Sequence, residues 1–110
     1  MIQEMQIWIA IIQQSNGERK RRPVVILKKM PNNDYLVSAI SSQLRQEIQG
    51  FDVLLQSDNL NGLNTNSLVR LSQVSTLAEN ELFGMIGTIT SEQHNTLLER
   101  ISTYLRKDLV

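Results

Sequence analysis

Arginines and hydroxyls are the side chains in this sequence best placed to do chemistry. Arg22 stands directly before Pro23. The proline ring pushes the preceding residue into extended backbone, so Arg22 should project from the mouth of a strand. A guanidinium fixed there can grip a phosphate with two parallel hydrogen bonds and stabilise negative charge added to it. Ser41 and Ser42 close a second apolar run and bring hydroxyls to a strand end. Other chemistries lack their parts. The chain has no cysteine and one histidine, His94. A thiol nucleophile, a zinc ribbon and a poly-histidine metal site are therefore excluded. His94 falls in the first turn of a helical segment, where the dipole disfavours imidazolium, and reads as an exposed surface residue. The five glycines form no phosphate-cradling pattern. Glu79 and Glu81 read as a solvated turn.

Charge is balanced overall, with 11 basic and 11 acidic residues, yet it is unevenly spread. Six of the basic residues lie between Arg19 and Lys29, and residues 1–29 carry +6 and −2. One concentrated basic segment can bind an anion locally without general affinity for polyanions. The 110 residues suit one domain spanning 1–110, with a core large enough to fold without staples. The longest apolar run, Ile7–Ile12, is far below the ~20 residues of a membrane span. With no secretory lead at the N-terminus, a soluble cytoplasmic protein is expected.

The elements that must carry these residues follow from periodicity. Met5–Gln13 reads as a strand buried on both faces. Ser15-Asn16-Gly17-Glu18 is turn chemistry, which places Arg19, Lys20 and Arg21 in a loop. Pro23–Lys29 reads as a strand that proline can only begin. Tyr35–Ser41, Phe51–Gln56 and Leu68–Leu77 read as three more strands. Gln43–Gln49 reads as helical turns ended by Gly50, Asn59–Asn66 as a loop, and Phe83–Ile89 as a short bridge too rich in glycine for a good strand. Thr90-Ser91-Glu92-Gln93 fits a capping box and predicts a helix over 91–107, with Leu97, Leu98, Ile101, Tyr104 and Leu105 on one face. The expected fold is mainly β (α+β), a small curled sheet or barrel of five to six strands with a C-terminal helix.

The same segments resemble the MazF/PemK family of toxin–antitoxin ribonucleases. The match runs through Ile7-Trp8, then Gly17-Glu18 leading into Arg22-Pro23-Val24-Val25-Ile26-Leu27. It continues through Ala39-Ile40-Ser41-Ser42-Gln43, then Gly62-Leu63 and Ser67–Leu77, and closes on Gly84-Met85-Ile86-Gly87. The resemblance implies an SH3-like barrel, usually dimeric, that cleaves single-stranded RNA without a metal or other cofactor and is covered by an antitoxin. Carried over by position, Arg22 matches a catalytic arginine, Ser41 a position often held by a catalytic threonine, and Arg70 an arginine that acts in one branch. Glu18 approximates a loop acid. Arg19, Lys20, Arg21, Ser42 and Gln43 are then expected along the RNA path.

The departures are specific. Met5-Gln6 stands where Gly-Glu is common, and Ser75 replaces a frequent arginine. Ser72 stands where the branch with an arginine like Arg70 has a carboxylate base. A member that binds RNA or antitoxin without cutting is one alternative. A gyrase-poison-like binding protein is another, although Asp108-Leu109-Val110 end the chain without an aromatic anchor. RNA carries its own nucleophile, the 2′-OH, so such a protein must hold the phosphate in line, stabilise charge and manage two protons.

Overall fold

The computed structural model describes residues 1–13 and 16–107. Ser15 and the segment 108–110, both invoked above, lie outside the described residues. Six strands and one helix follow in order: β1 (Gln6–Gln13), β2 (Arg19–Lys29), β3 (Tyr35–Ser41), β4 (Val53–Leu55), β5 (Ser67–Leu77), β6 (Leu82–Thr88) and α1 (Ser91–Arg106). Every pairing is antiparallel, in the order β4-β5-β3-β2-β1-β6. The sheet curls into a half-barrel with α1 against it, which is the expected architecture.

Both faces of the sheet bury apolar side chains, because successive residues of a strand point to opposite sides. One face gathers Ile7, Val25, Leu27, Ile40, Val69 and Leu97 of α1, among others. The other gathers Ala10, Val24, Ile26, Val37 and Leu77 with their neighbours. The valine-rich run of β2 contributes to both, so it reads as unbroken hydrophobicity. Helix α1 starts on the expected capping box. The Gln93 N–H donates to Thr90 Oγ1 at 3.0 Å, and the Thr90 N–H donates to Gln93 Oε1 at 2.9 Å. Its apolar face is only partly covered: Leu97 is buried, while Tyr104 and Leu105 are 59% and 70% exposed.

Several expectations change. β2 begins at Arg19, so Arg19, Lys20 and Arg21 are strand residues paired with Gln13, Ile12 and Ile11 rather than loop residues. Pro23 sits inside the strand opposite Ile9, because pairing of β2 to β3 starts only at Val24. On the β3 side the first half of β2 is an edge, where a missing N–H is tolerated. β6 is a full strand despite Gly84 and Gly87, paired to β1 through two register shifts. β1 is less buried than expected, with only Ile7 and Ala10 fully enclosed. His94 is half-buried, and its Nε2 lies 2.9 Å from the Leu27 carbonyl, tying α1 to β2.

The two glycine motifs have one cause. The segment after β4 is knitted around buried Asn61, whose side-chain amide donates to the Gln56 carbonyl at 2.8 Å and whose Oδ1 accepts from the Leu63 N–H at 3.0 Å. This segment then presses on β6, where the Thr88 N–H donates to the Leu60 carbonyl at 3.0 Å. A Cβ on Gly62 would meet Ile86 O at 2.0 Å, and one on Gly87 would meet Asn61 O at 2.2 Å.

Candidate active site

The strand register sets Arg22 and Ser41 on one face of neighbouring strands. Val24 pairs with Ala39, and Ala39 pairs with Arg70. Arg22 and Ser41 each lie two residues further along the same two strands, so they point to the face that holds Val24 and Ala39. The Ala10–Arg22 pairing places Arg22 on that face from the other side. The strands are about 5 Å apart at the last pair, Val24 and Ala39, and Arg22 and Ser41 lie two residues beyond it. This is also where β2 parts from β3, so the site opens at the rim of the sheet.

Arg22 is half-buried, and among the described residues its guanidinium has no hydrogen bond or ion pair. Ser41 Oγ accepts the Gln43 N–H at 3.1 Å. The hydroxyl is held by that contact while its proton stays available to donate. Ser42 and Gln43 follow, both exposed, at the start of the β3–β4 connection.

Arg70 belongs to the same face but is engaged. Its Nε lies 3.3 Å from Asp52 Oδ2, with side-chain exposures of 14% and 0%, and its Nη1 donates to Gln46 Oε1 at 2.9 Å. Three residues of β5 (Leu71, Ser72 and Gln73) bulge out between the Ala39–Arg70 and Ser38–Val74 pairs. The Ser38 hydroxyl donates to the freed Arg70 carbonyl at 2.8 Å. Ser72 is exposed in that bulge.

Glu18 stands apart. It is exposed in the β1–β2 turn, its N–H donating to Asn16 Oδ1 at 3.0 Å. Glu18 is four positions before Arg22, roughly 13 Å along an extended strand. Strand alternation divides the basic segment as well. Lys20 shares the face of Arg22, whereas Arg19 and Arg21 point to the other. Among the described residues, no group of three or more His, Cys, Asp or Glu is placed to hold a metal ion.

Sequence reasoning missed Asp52 and Gln46. The signal for Asp52 was a lone carboxylate inside the apolar run Phe51-Asp52-Val53-Leu54-Leu55, since a carboxylate is buried only with partners. Gln46 carried no signal, because only the fold brings the β3–β4 connection to Arg70.

A curled antiparallel sheet of six strands with one C-terminal helix is the architecture of the MazF toxins. The chain belongs to the family of PemK-like, MazF-like toxins of type II toxin–antitoxin systems, whose model matches residues 3–105. Members of this family are endoribonucleases. Among solved structures, the Mycobacterium tuberculosis toxin MazF-mt6 is similar at 27% identity and TM-score 0.64, over 93% of this chain and 99% of that one. An endoribonuclease in complex with its cognate antitoxin from mycobacterial species shares the fold at TM-score 0.72 and 15% identity, with 100% of both chains covered. A comparison with curated protein sequences finds no match. Among the described residues, no helix is long and apolar enough to cross a membrane.

Proposed function

We propose that this protein is itself an endoribonuclease, a cytoplasmic toxin that cuts single-stranded RNA without a metal and is held in check by an antitoxin. The observation that carries the reading is an Arg22 guanidinium with no partner among the described residues on the same sheet face as the Ser41 hydroxyl, two residues beyond the Val24–Ala39 pair. RNA supplies the nucleophile. Arg22 holds the phosphate and stabilises the charge that builds as the 2′-oxygen attacks. Ser41 donates to a phosphate oxygen and keeps the phosphorus in line. Glu18 is four positions from Arg22, so water takes the 2′-OH proton and returns a proton to the 5′-oxygen as its bond to phosphorus breaks. Lys20 extends the positive face along the backbone, and Ser42 and Gln43 lie beside the flanking nucleotide. Arg19 and Arg21 contribute charge from the opposite side of the strand.

The partly covered apolar face of α1, together with exposed Phe83 and Met85 on β6, supports assembly as a homodimer. The antitoxin in the mycobacterial complex supports a cognate antitoxin here. The decisive experiment incubates the purified protein with a long single-stranded RNA in EDTA. Fragments with a 5′-hydroxyl and a 2′,3′-cyclic phosphate or 3′-phosphate are expected. RNA that is bound but uncut would leave a binding protein in place of an enzyme, and activity restored only by added metal would overturn the metal-free mechanism.

A further inference from the structure

Asp52 is the one acidic side chain among the described residues that the fold buries. Removing a carboxylate from water is costly unless its oxygens are satisfied. Here Oδ1 accepts the Leu71 N–H at 3.1 Å, and Oδ2 accepts the Ile48 N–H at 2.9 Å. Both bonds come from main chain, one from the β5 bulge and one from the β3–β4 connection. The helix fixes the same residue from behind, since Arg100 Nη1 donates to the Asp52 carbonyl at 2.7 Å and to the Phe51 carbonyl at 3.2 Å. The carboxylate is therefore a fixed charge, immobilised before any ligand arrives.

That fixed charge lies against Arg70. Val53 pairs with Val69, so Asp52 comes opposite Arg70 at the next step of the register. Asp52 Oδ2 draws the Nε edge to 3.3 Å, as an ion pair without hydrogen-bond alignment. Gln46 takes Nη1, and Ser38 holds the Arg70 carbonyl. The second terminal nitrogen has no partner among the described residues. Arg70 pairs with Ala39, so Arg70 and Ser41 are two residues apart along the strands and one strand apart across them, roughly 8 Å between backbones. An arginine side chain is long enough to span that distance, so a phosphate next to the one held by Arg22 and Ser41 falls within range of the Arg70 terminal nitrogen that Asp52 and Gln46 leave free.

We propose that Asp52 is a positioning residue: it orients the Arg70 guanidinium so that its free edge meets RNA phosphate on the Arg22–Ser41 face. The role rests on the endoribonuclease reading above. Asp52 touches no RNA and acts through Arg70. Gln46, on the other side, sets the rotation of the same group.

The test is a double-mutant cycle with Asp52→Asn and Arg70→Ala, read by RNA cleavage and by binding of a non-cleavable 2′-deoxy analogue of the RNA. Arginine Nε–H resonances and thermal unfolding are followed alongside. Each single variant should lower kcat/KM by about tenfold, and the double variant should fall no further than Arg70→Ala alone. Analogue affinity should follow the same pattern, and the Arg70 Nε–H should lose its fixed environment in Asp52→Asn. Additive losses, with Asp52→Asn costing as much without Arg70 as with it, would mean that Asp52 only supports the fold. Arg70→Lys covers the case in which Asp52→Asn does not fold. Lysine keeps the charge but has no planar fork to be steered. Activity like that of Arg70→Ala supports orientation, and wild-type activity overturns it. A wild-type protein that cuts RNA while the cycle is additive retains the enzyme and loses the positioning role. A wild-type protein that neither cuts nor binds loses both.

Discussion

At the scale of single residues, Arg22 and Ser41, which we propose share a site, differ in what their loss should do. Arg22 contributes a charge with no partner among the described residues, so removing it leaves no buried group unsatisfied. Arg22→Ala should abolish RNA cleavage with an unchanged thermal transition; a folded variant cutting at the wild-type rate would displace Arg22 from the site. Ser41 contributes one hydroxyl held by the Gln43 N–H. Ser41→Ala should reduce the cleavage rate by roughly 10²-fold, as loss of one preorganised donor does, and Ser41→Thr should retain or raise it. Single-turnover rates on one RNA decide this, and a silent Ser41→Ala would leave the hydroxyl as strand-end capping only. Met5 shows how one residue departs from the family pattern without loss of the fold. Its φ of 77° lies in the left-handed region, where a side chain costs ~1 kcal/mol. The Met5 N–H donates to Ile26 O, and its carbonyl accepts the Ile89 N–H, both at 2.9 Å, so the turn is held around a residue that is not glycine.

At the scale of elements, strand geometry assigns unequal parts to a run of charges that looks uniform in sequence. Lys20 is on the Arg22 face, and Arg19 and Arg21 are not. Lys20→Ala should weaken binding of a non-cleavable RNA whatever its sequence, and should lower the salt slope by about one unit. The double variant Arg19→Ala, Arg21→Ala should do less. Titrations at two salt concentrations measure both, and equal effects would mean that the charges act as one cloud. The loop after β4 and strand β6 make a second element-scale case. Gly87→Ala should cost about 1–3 kcal/mol in denaturant unfolding, because its Cβ would collide with backbone that cannot yield. Gly84→Ala, with nothing within 4 Å of the added carbon, is the control and should be near neutral. The glycines that made Phe83–Ile89 look like a poor strand are thus unequal: Gly87 is demanded by the close approach of the loop, and Gly84 is not.

At the scale of the whole molecule, the surface left bare says most about partners. Phe83, Met85, Tyr104 and Leu105 are each about half exposed or more in the isolated chain. Monomeric proteins seldom leave that much large apolar surface unpaired. Light scattering at micromolar concentration should report a dimer, and a particle of 12.6 kDa would contradict it. Antitoxin and RNA should also compete, since both are expected to use the basic rim. Simultaneous binding of antitoxin and the non-cleavable RNA would separate the two surfaces.

Sequence periodicity alone determined most of the elements. Tyr35–Ser41 matches β3 at both ends, the helix lies within one residue of expectation, and the capping box is formed as read. Those features depend on neighbours in the chain: alternation, a hydroxyl at a helix start, a proline that keeps Arg22 extended. Arg22 and Ser41 were singled out by motif order and by the chemistry a phosphate needs, and their shared face follows from strand alternation. What tertiary structure decided is everything set by partners distant in sequence. Pro23 was read as the start of a strand because local rules count only its missing N–H; that β3 leaves this stretch unpaired is a property of the sheet. The engagement of Arg70 depends on Asp52, 18 positions earlier, and on Gln46, and no spacing rule links the three. His94 looked exposed because its neighbours in the helix are polar, yet the packing of α1 turns its ring onto Leu27. Local sequence encodes which conformations a segment prefers, whereas the partner of a buried charge is chosen only when the sheet closes and water is excluded.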